Sequence, residues 1–111
     1  TECVKFAEEQ AKKFEVRAPM VGHMGDGNFH VVLPYDPAKK EMYKQIRAFN
    51  DTLIKKALEL NGTITGEHGV GLHKKEYLLE QHPDNIPVMK SIKRTLDPNN
   101  IMNPGKIFDL N

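Results

Sequence analysis

Two histidines and one carboxylate, set in glycine-rich segments, are the residues of this 111-residue chain that best suit metal chemistry. His23 and His30 flank a turn sequence of Gly, Asp, Gly and Asn, and Glu67 lies in a second glycine-rich segment. Two histidines and a carboxylate commonly bind a catalytic divalent metal, because they leave a coordination position open. The residue types and spacing therefore predict one metal site with His23, His30 and Glu67 as ligands.

His68 follows Glu67 directly and suits a different task. Imidazoles ordinarily titrate near neutral pH, so a histidine beside an activated substrate hydroxyl can act as a general base. On a strand His68 would point away from Glu67, but among glycines it need not. The alternative is that His68 holds its loop by hydrogen bonding.

Each of these residues also has an ordinary structural interpretation. His30 could be a buried, hydrogen-bonded histidine of a strand. Glu67 could be a simple loop carboxylate, and Asp26 is better suited to forming the turn than to binding a metal. His73 and His82 lie among charged residues, and we expect both to be solvated. The residues alone leave these alternatives open.

A β-hairpin is predicted to position the two histidines. Its strands are residues 16–23, where Pro19 indicates an edge strand or a bulge, and residues 28–33. The sequence of residues 25–28 favours a tight turn between them. If the hairpin closes symmetrically about this turn, His23 and His30 stand directly opposite each other, with Cβ atoms about 4.5–5.5 Å apart. A slip of one residue would place them on opposite faces.

Helical periodicity predicts the elements around this hairpin. The predicted helices cover residues 1–15, 37–60, 72–81 and 87–96, and an apolar stripe marks the first, the second and the last of them. Asp36 is the predicted N-cap of the second helix, and Asn61 and Gly62 are its predicted left-handed end.

The last helix and the remaining segments complete the predicted fold. The side chains predicted to face inward from the last helix are Val88 or Met89, Ile92 and Leu96. Residues 63–65 are predicted to form a short strand, and residues 99–108 an irregular, turn-rich tail. The elements predict an α+β fold, an antiparallel sheet packed with helices, as one domain over residues 1–111.

Composition excludes several classes of protein. Hydrophobic residues make up 39% and charged residues 28%, which is typical of a soluble globular domain. The net charge of +1 argues against nucleic-acid or polybasic membrane binding. The single Cys3 excludes an intrachain disulfide and favours a reducing, cytoplasmic location. No apolar run approaches the ~20 residues of a membrane span. The chain starts at Thr1, and we expect it to be a fragment or an excised domain.

Three segments, in the same order along the chain, resemble the C-terminal region of the FAD-linked oxidases. The segments are GHMGDGNFH at 22–30, GEHGVG at 66–71 and LDPNNIMNPGKIF at 96–108. These oxidases are the vanillyl-alcohol-oxidase-type flavoproteins, which include D-lactate, glycolate and D-2-hydroxyglutarate dehydrogenases. Three ordered motifs make this resemblance specific.

The resemblance implies the last part of a ferredoxin-like α+β substrate domain of an enzyme that oxidises a small D-2-hydroxy acid, such as D-lactate or glycolate. In the 2-hydroxyacid dehydrogenases of this family, the positions of His23, His30 and Glu67 bind a divalent metal, often zinc. The position of His68 is the proposed base. The segment containing Asn103 and Lys106 lies near the flavin, so the resemblance implies that both contact FAD.

The same resemblance implies which parts of the enzyme lie elsewhere. D-2-hydroxyglutarate dehydrogenases tend to have Asn at the position of Val32, so a smaller or more apolar acid is favoured. The expected partner is the FAD-binding domain of the same protein, without which the chain should neither hold FAD tightly nor turn over. Homodimerisation is left open.

Two other functions are compatible with these residues. A non-catalytic metal-binding or assembly module could use the histidines to hold the hairpin together. A metal-free family member could oxidise an aryl alcohol or an ether-lipid precursor, although the two-histidine motif argues against it.

Overall fold

The computed structural model describes residues 2–110, so the predicted start of the first helix at Thr1 lies outside the described residues. The chain divides into two compact units, Thr1–Gly62 and Thr63–Asn111. The predicted single domain over residues 1–111 stays a prediction.

Helices and one small sheet make up the regular structure. Over residues 2–110 the helices are α1 (Glu2–Lys13), α2 (Lys40–Glu59), α3 (Lys75–Gln81) and α4 (Ile86–Leu96). The antiparallel sheet over the same range has two strands, β1 (Met20–Val21) and β2 (His30–Val31). The α+β prediction is therefore confirmed. None of the described helices combines the length and apolar character needed to cross a membrane.

The core of the first unit lies where α1 packs on α2. Ala7 of α1 and Phe49 of α2 are fully buried. The ring of Phe14, just beyond α1, meets Phe49 edge to face, with centroids 6.3 Å apart and planes at 74°. The ammonium of Lys56 lies 5.6 Å from the centre of the Phe6 ring. The predicted apolar stripes of these helices therefore form this core.

The start of α2 differs from the prediction, whereas its end agrees. The Asp36 carboxylate accepts a hydrogen bond of 3.0 Å from the N–H two residues on, which forms a turn instead of an N-cap. The helix therefore begins at Lys40. At the other end Asn61 has φ 58°, and the Gly62 N–H donates to the Ala57 carbonyl at 2.8 Å. This is the predicted left-handed end.

The end of α1 has the same left-handed geometry, but Glu15 adopts it at a higher cost in free energy than Asn61 does. Glu15 has φ 54°, and its N–H donates to the Lys12 carbonyl at 3.2 Å. The Val16 N–H donates to the Ala11 carbonyl at 3.0 Å, which completes a Schellman motif. A left-handed residue with a Cβ costs about 1–2 kcal/mol. The motif therefore contains strain that glycine would relieve.

Glu15→Gly is expected to raise the free energy of unfolding by about 0.5–1 kcal/mol, because relief of the left-handed strain exceeds the added flexibility of the unfolded chain. Glu9→Gly, at an exposed position within α1, is the matched control and should lower it by about 1 kcal/mol. Urea unfolding of both variants measures the difference. A loss of stability in Glu15→Gly would contradict the cap assignment.

The second unit begins without the predicted strand. Residues 63–65 form no strand, so that prediction is wrong. The side-chain oxygen of Gln81 accepts hydrogen bonds of 3.2 Å from the Ile64 N–H and from the Thr63 hydroxyl. A side chain thus replaces the sheet partner that these residues would need. Ile64 is nevertheless buried, as are Leu78 and Ile86.

The start of α3 is also later than predicted. Residues 71–73 form turns, and the helix begins at Lys75. Gly71, the residue before the predicted helix, has φ 57°, and the turn that begins there continues through the first predicted helical residues. The helix is therefore seven residues long instead of the predicted ten.

The bounds of α4 match the prediction within one residue, but the predicted inward face is wrong at Ile92 and Leu96, and of the alternatives Val88 and Met89 only Met89 lies inward. Its most exposed apolar side chains lie four residues apart: Val88, Ile92 and Leu96, at 61%, 56% and 75% exposure. Ile86 is buried, and Met89 and Lys93 are half-buried. The Lys93 ammonium binds the buried Asp97 carboxylate. The inward face therefore includes a paired lysine, and the apolar row lies on the outward face.

The Asp97 carboxylate also organises the segment after α4. It accepts hydrogen bonds from the N–H groups of Ile101 at 3.0 Å and Met102 at 2.9 Å. The bond from Lys93 is the main cause that holds the pKa of Asp97 below its ordinary 3.8, against the opposing effect of burial. One carboxylate therefore joins the helix end to the tail.

Asp97 should make the stability of the chain depend on pH in acid. Because its pKa is lower in the folded than in the unfolded state, its contribution is complete above the ordinary 3.8 and is lost as the pH falls towards the folded value. Asp97→Asn should be less stable than wild type near neutral pH and lose less stability in acid. Exposed Asp84→Asn is the control. Identical pH profiles of unfolding for wild type and Asp97→Asn would contradict this role.

Candidate functional site

The hairpin forms, but its register differs from the prediction by two positions. Met20 lies opposite Val31, and Val21 lies opposite His30. The predicted direct opposition of His23 and His30 is therefore wrong. The strands are also shorter than predicted, and β1 ends before His23.

The turn explains this register. Met24–Asp26 form a short 3₁₀ helix, and Gly27 follows in the left-handed conformation. The Asn28 N–H donates to the His23 carbonyl at 3.2 Å, so His23 closes the turn and does not extend β1. His23 is exposed, whereas His30 is half-buried in β2. The two predicted ligands thus belong to different parts of the hairpin.

At Gly22 the two arms of the hairpin lie too close together to admit a side chain. Gly22 has φ 146°, and a Cβ there would lie 2.7 Å from the Cα of Phe29. Real side chains do not tolerate that distance from a backbone atom. Glycine is therefore required immediately before His23, for both its conformation and its size.

Gly22→Ala is expected to lower the free energy of unfolding by about 1–3 kcal/mol, because it combines backbone strain with a steric clash. Gly25→Ala is the matched control, since a Cβ there meets nothing within 4 Å. Chemical unfolding measures the stability, and the NMR shifts of His23 and His30 report the hairpin. Equal stability of the two variants would contradict the close approach.

Glu67 and His68 occupy the centre of a turn. The Gly69 N–H donates to the Gly66 carbonyl at 3.3 Å, which closes the turn around them. His68 Nε2 lies 3.6 Å from Glu67 Oε1, and the side chains are 73% and 55% exposed. The two side chains therefore lie on the same side, unlike neighbours on a strand. A carboxylate and an imidazole are presented together to solvent.

Thr65 and Lys74 support this turn, and the residue patterns did not identify either of them. The Thr65 hydroxyl donates to the Gly69 carbonyl at 2.8 Å. The Lys74 ammonium donates to the Thr65 oxygen at 2.9 Å. Burial lowers the pKa of Lys74. A signal for Thr65 was present, because hydroxyl residues beside glycines often bind the backbone, but nothing local pointed to Lys74, nine residues away.

The tail segment with the two predicted FAD contacts is held against the same glycine-rich loop. The Lys106 N–H donates to the Asn103 carbonyl at 3.3 Å, and Gly105 between them has φ 71°. The Ile107 N–H then donates to the Gly71 carbonyl at 2.7 Å. Asn103 and Lys106 are both exposed. The second unit therefore links the predicted FAD contacts to the loop that contains Glu67 and His68.

The chemistry of the predicted residues fits the groups assigned to them. Two imidazoles and a carboxylate are ligands that zinc accepts, and His23 and Glu67 are exposed, so an ion could reach them. An exposed amide and an exposed ammonium, those of Asn103 and Lys106, suit the polar atoms of a flavin nucleotide. The metal ligands, the base and the FAD contacts all stay predictions.

A comparison with protein-family models finds one that covers nearly the whole chain. The model described as "FAD linked oxidases, C-terminal domain" matches residues 1–107. The match includes all three motifs that carried the resemblance, except the last residue of the third, Phe108.

Curated proteins with similar sequences are named as oxidoreductases of 2-hydroxy acids. "Probable D-lactate dehydrogenase, mitochondrial" of Danio rerio is 45% identical over 86% of this chain and 19% of its own length. "Glycolate oxidase subunit GlcD" of Bacillus subtilis is 41% identical over 95% of this chain and 23% of its own. "D-2-hydroxyglutarate dehydrogenase" of Stutzerimonas stutzeri is 42% identical over 78% of this chain and 19% of its own. The chain thus spans about a fifth of the length of these relatives.

Proposed function

We propose the function of this chain from one established premise: the chain belongs to the family of FAD linked oxidases, C-terminal domain. The proposed function is the substrate-side part of an FAD-dependent dehydrogenase that oxidises a small D-2-hydroxy acid, such as D-lactate or glycolate. The partner is the FAD-binding domain of the same enzyme. Residues of this chain bind the substrate and take its proton.

The observation that carries this proposal is the family match over residues 1–107, together with the names of the relatives. D-lactate, glycolate and D-2-hydroxyglutarate all contain a hydroxyl beside a carboxylate. The three relatives therefore share one reacting group, although their acids differ in size. The presentation of Glu67 and His68 on one exposed turn supports a role in that shared chemistry.

In the proposed mechanism, His68 takes the hydroxyl proton as the 2-hydroxy acid becomes a 2-oxo acid. His23, His30 and Glu67 would hold the metal, and Asn103 and Lys106 would bind polar atoms of FAD. When bound, the metal supplies Lewis-acid activation of the hydroxyl, and the flavin supplies the redox chemistry. Orientation of the hydroxyl towards His68 is the contribution of the protein.

Val32 supports a small or apolar acid. Its side chain is 50% exposed, two positions after His30. An apolar side chain cannot bind a second carboxylate, whereas an amide at this position could. D-lactate and glycolate have no second carboxylate, so they are the proposed substrates ahead of 2-hydroxyglutarate.

The role of His68 can be tested in the intact protein. His68→Ala should lower kcat with D-lactate or glycolate by about 10²–10⁴-fold, because the general base is lost. Flavin absorbance and metal content should stay at the wild-type level. His73→Ala, an exposed histidine outside the motifs, should retain full activity. Wild-type turnover in His68→Ala would contradict the proposed base.

The metal can be tested independently of turnover. Elemental analysis should find about one divalent ion per chain, and His23→Ala and His30→Ala should each lower this content about 10-fold or more. A chelator should abolish turnover, and added zinc should restore it. Chelator-insensitive activity in a metal-free protein would contradict the metal role. A protein without flavin that unfolds on metal removal would instead favour a non-catalytic metal-binding module.

A further inference from the structure

We propose that Lys74 is a positioning residue, which holds the turn of Glu67 and His68 through the hydroxyl of Thr65. The proposal rests on the proposed function, because the turn matters to catalysis only if these two residues have the roles given above.

The hydrogen bonds run in one direction, from Lys74 through Thr65 and Gly69 to Gly66. The Lys74 ammonium can only donate, so the Thr65 oxygen accepts that bond, at 2.9 Å. The single hydroxyl proton of Thr65 is then directed to the Gly69 carbonyl, at 2.8 Å. The Gly69 N–H in turn donates to the Gly66 carbonyl and closes the turn. Lys74 therefore fixes the orientation of the hydroxyl that fixes the turn.

The supporting residues Thr65 and Lys74 are more buried than the two residues of the turn that they support. Thr65 and Lys74 are half-buried, and Thr65 follows the buried Ile64, which anchors it. Glu67 and His68 are mostly exposed. A charge-assisted bond in partly buried surroundings is stronger than the same bond in water. The hydrogen bond between Lys74 and Thr65, called the tether below, is therefore partly shielded from water. Glu67 and His68 lie where a substrate can reach them.

The turn needs such a tether because its own sequence is permissive. Residues 66–71 include three glycines, and Gly69 and Gly71 have φ values of 70° and 57°. Glycine adopts many other conformations at little cost. A displacement of about 1 Å of a catalytic group can lower the rate about 10²-fold. Loss of the tether should therefore affect the rate more than the affinity for substrate.

The first experiment removes the ammonium in the intact protein. Lys74→Met should lower kcat by about 10–100-fold and change KM by less than about threefold, because orientation and not binding is lost. Flavin and metal contents should stay at the wild-type level. Lys74→Arg should recover part of kcat, since it keeps a cationic donor. Lys44→Met is the matched control, because its ammonium pairs with Glu41 on the exposed face of α2.

The second experiment tests whether Lys74 acts through Thr65. Thr65→Val should lower kcat to a similar extent, and Thr65→Ser should retain most of it. In Lys74→Met/Thr65→Val the loss should be no greater than in either single variant, because both remove the same support. Deuterium exchange of residues 63–74 should increase in Lys74→Met and not in Lys44→Met. A role in overall stability alone would give additive losses and exchange across the whole chain.

The outcomes separate this proposal from the proposed function. Wild-type kcat in Lys74→Met, together with an inactive His68→Ala, overturns the role of Lys74 and leaves the function standing. An active His68→Ala overturns the base, and with it the premise of this proposal, whereas a wild type that oxidises neither D-lactate nor glycolate overturns the function itself. If Lys74→Met does not fold, the comparison of Thr65→Ser with Thr65→Val decides, and equal kcat in those two variants overturns the proposal.

Discussion

Backbone groups outside helices and strands still need hydrogen-bond partners, and in this chain polar side chains supply several of them. In the second unit, Gln81 replaces the missing strand beside Ile64, Thr65 closes the loop at Gly69, and Asp97 binds the backbone of the tail. The predicted site residues of this unit all lie in such irregular segments. Their positions therefore depend on a few polar side chains more than on a sheet.

The helices were predictable because their apolar stripes are long and regular, whereas the hairpin register and the strand at 63–65 were not. The turn between the histidines looked symmetric in sequence. The His23 carbonyl instead accepts from Asn28 and draws His23 out of β1. In α4 the pattern gave the right helix and the wrong face: Lys93, paired with Asp97, lies on the inward side, and the apolar row lies outside. A local sequence pattern cannot predict the contact between Lys93 and Asp97, because Asp97 also binds the backbone of the tail.

The candidate site was predictable to a different extent. Its residue types and order are visible in the motifs, and the family that the motifs indicated is the one whose model matches residues 1–107. The neighbours that support the turn are not visible in the motifs, because Lys74 and Thr65 are ordinary residues that meet only in the folded chain. Sequence reasoning could propose the reacting groups, and the structure was needed to identify the hydrogen bonds that support the turn of Glu67 and His68.

The outward row of Val88, Ile92 and Leu96 affects how readily copies of the separate chain associate in solution. With a net charge of only +1, copies repel each other weakly at neutral pH, and an exposed apolar row favours their association. Acidification protonates Asp97 and loosens the same helix end. The pH that keeps this helix end folded therefore lies above the titration of Asp97, where the low net charge does little to oppose association through the apolar row.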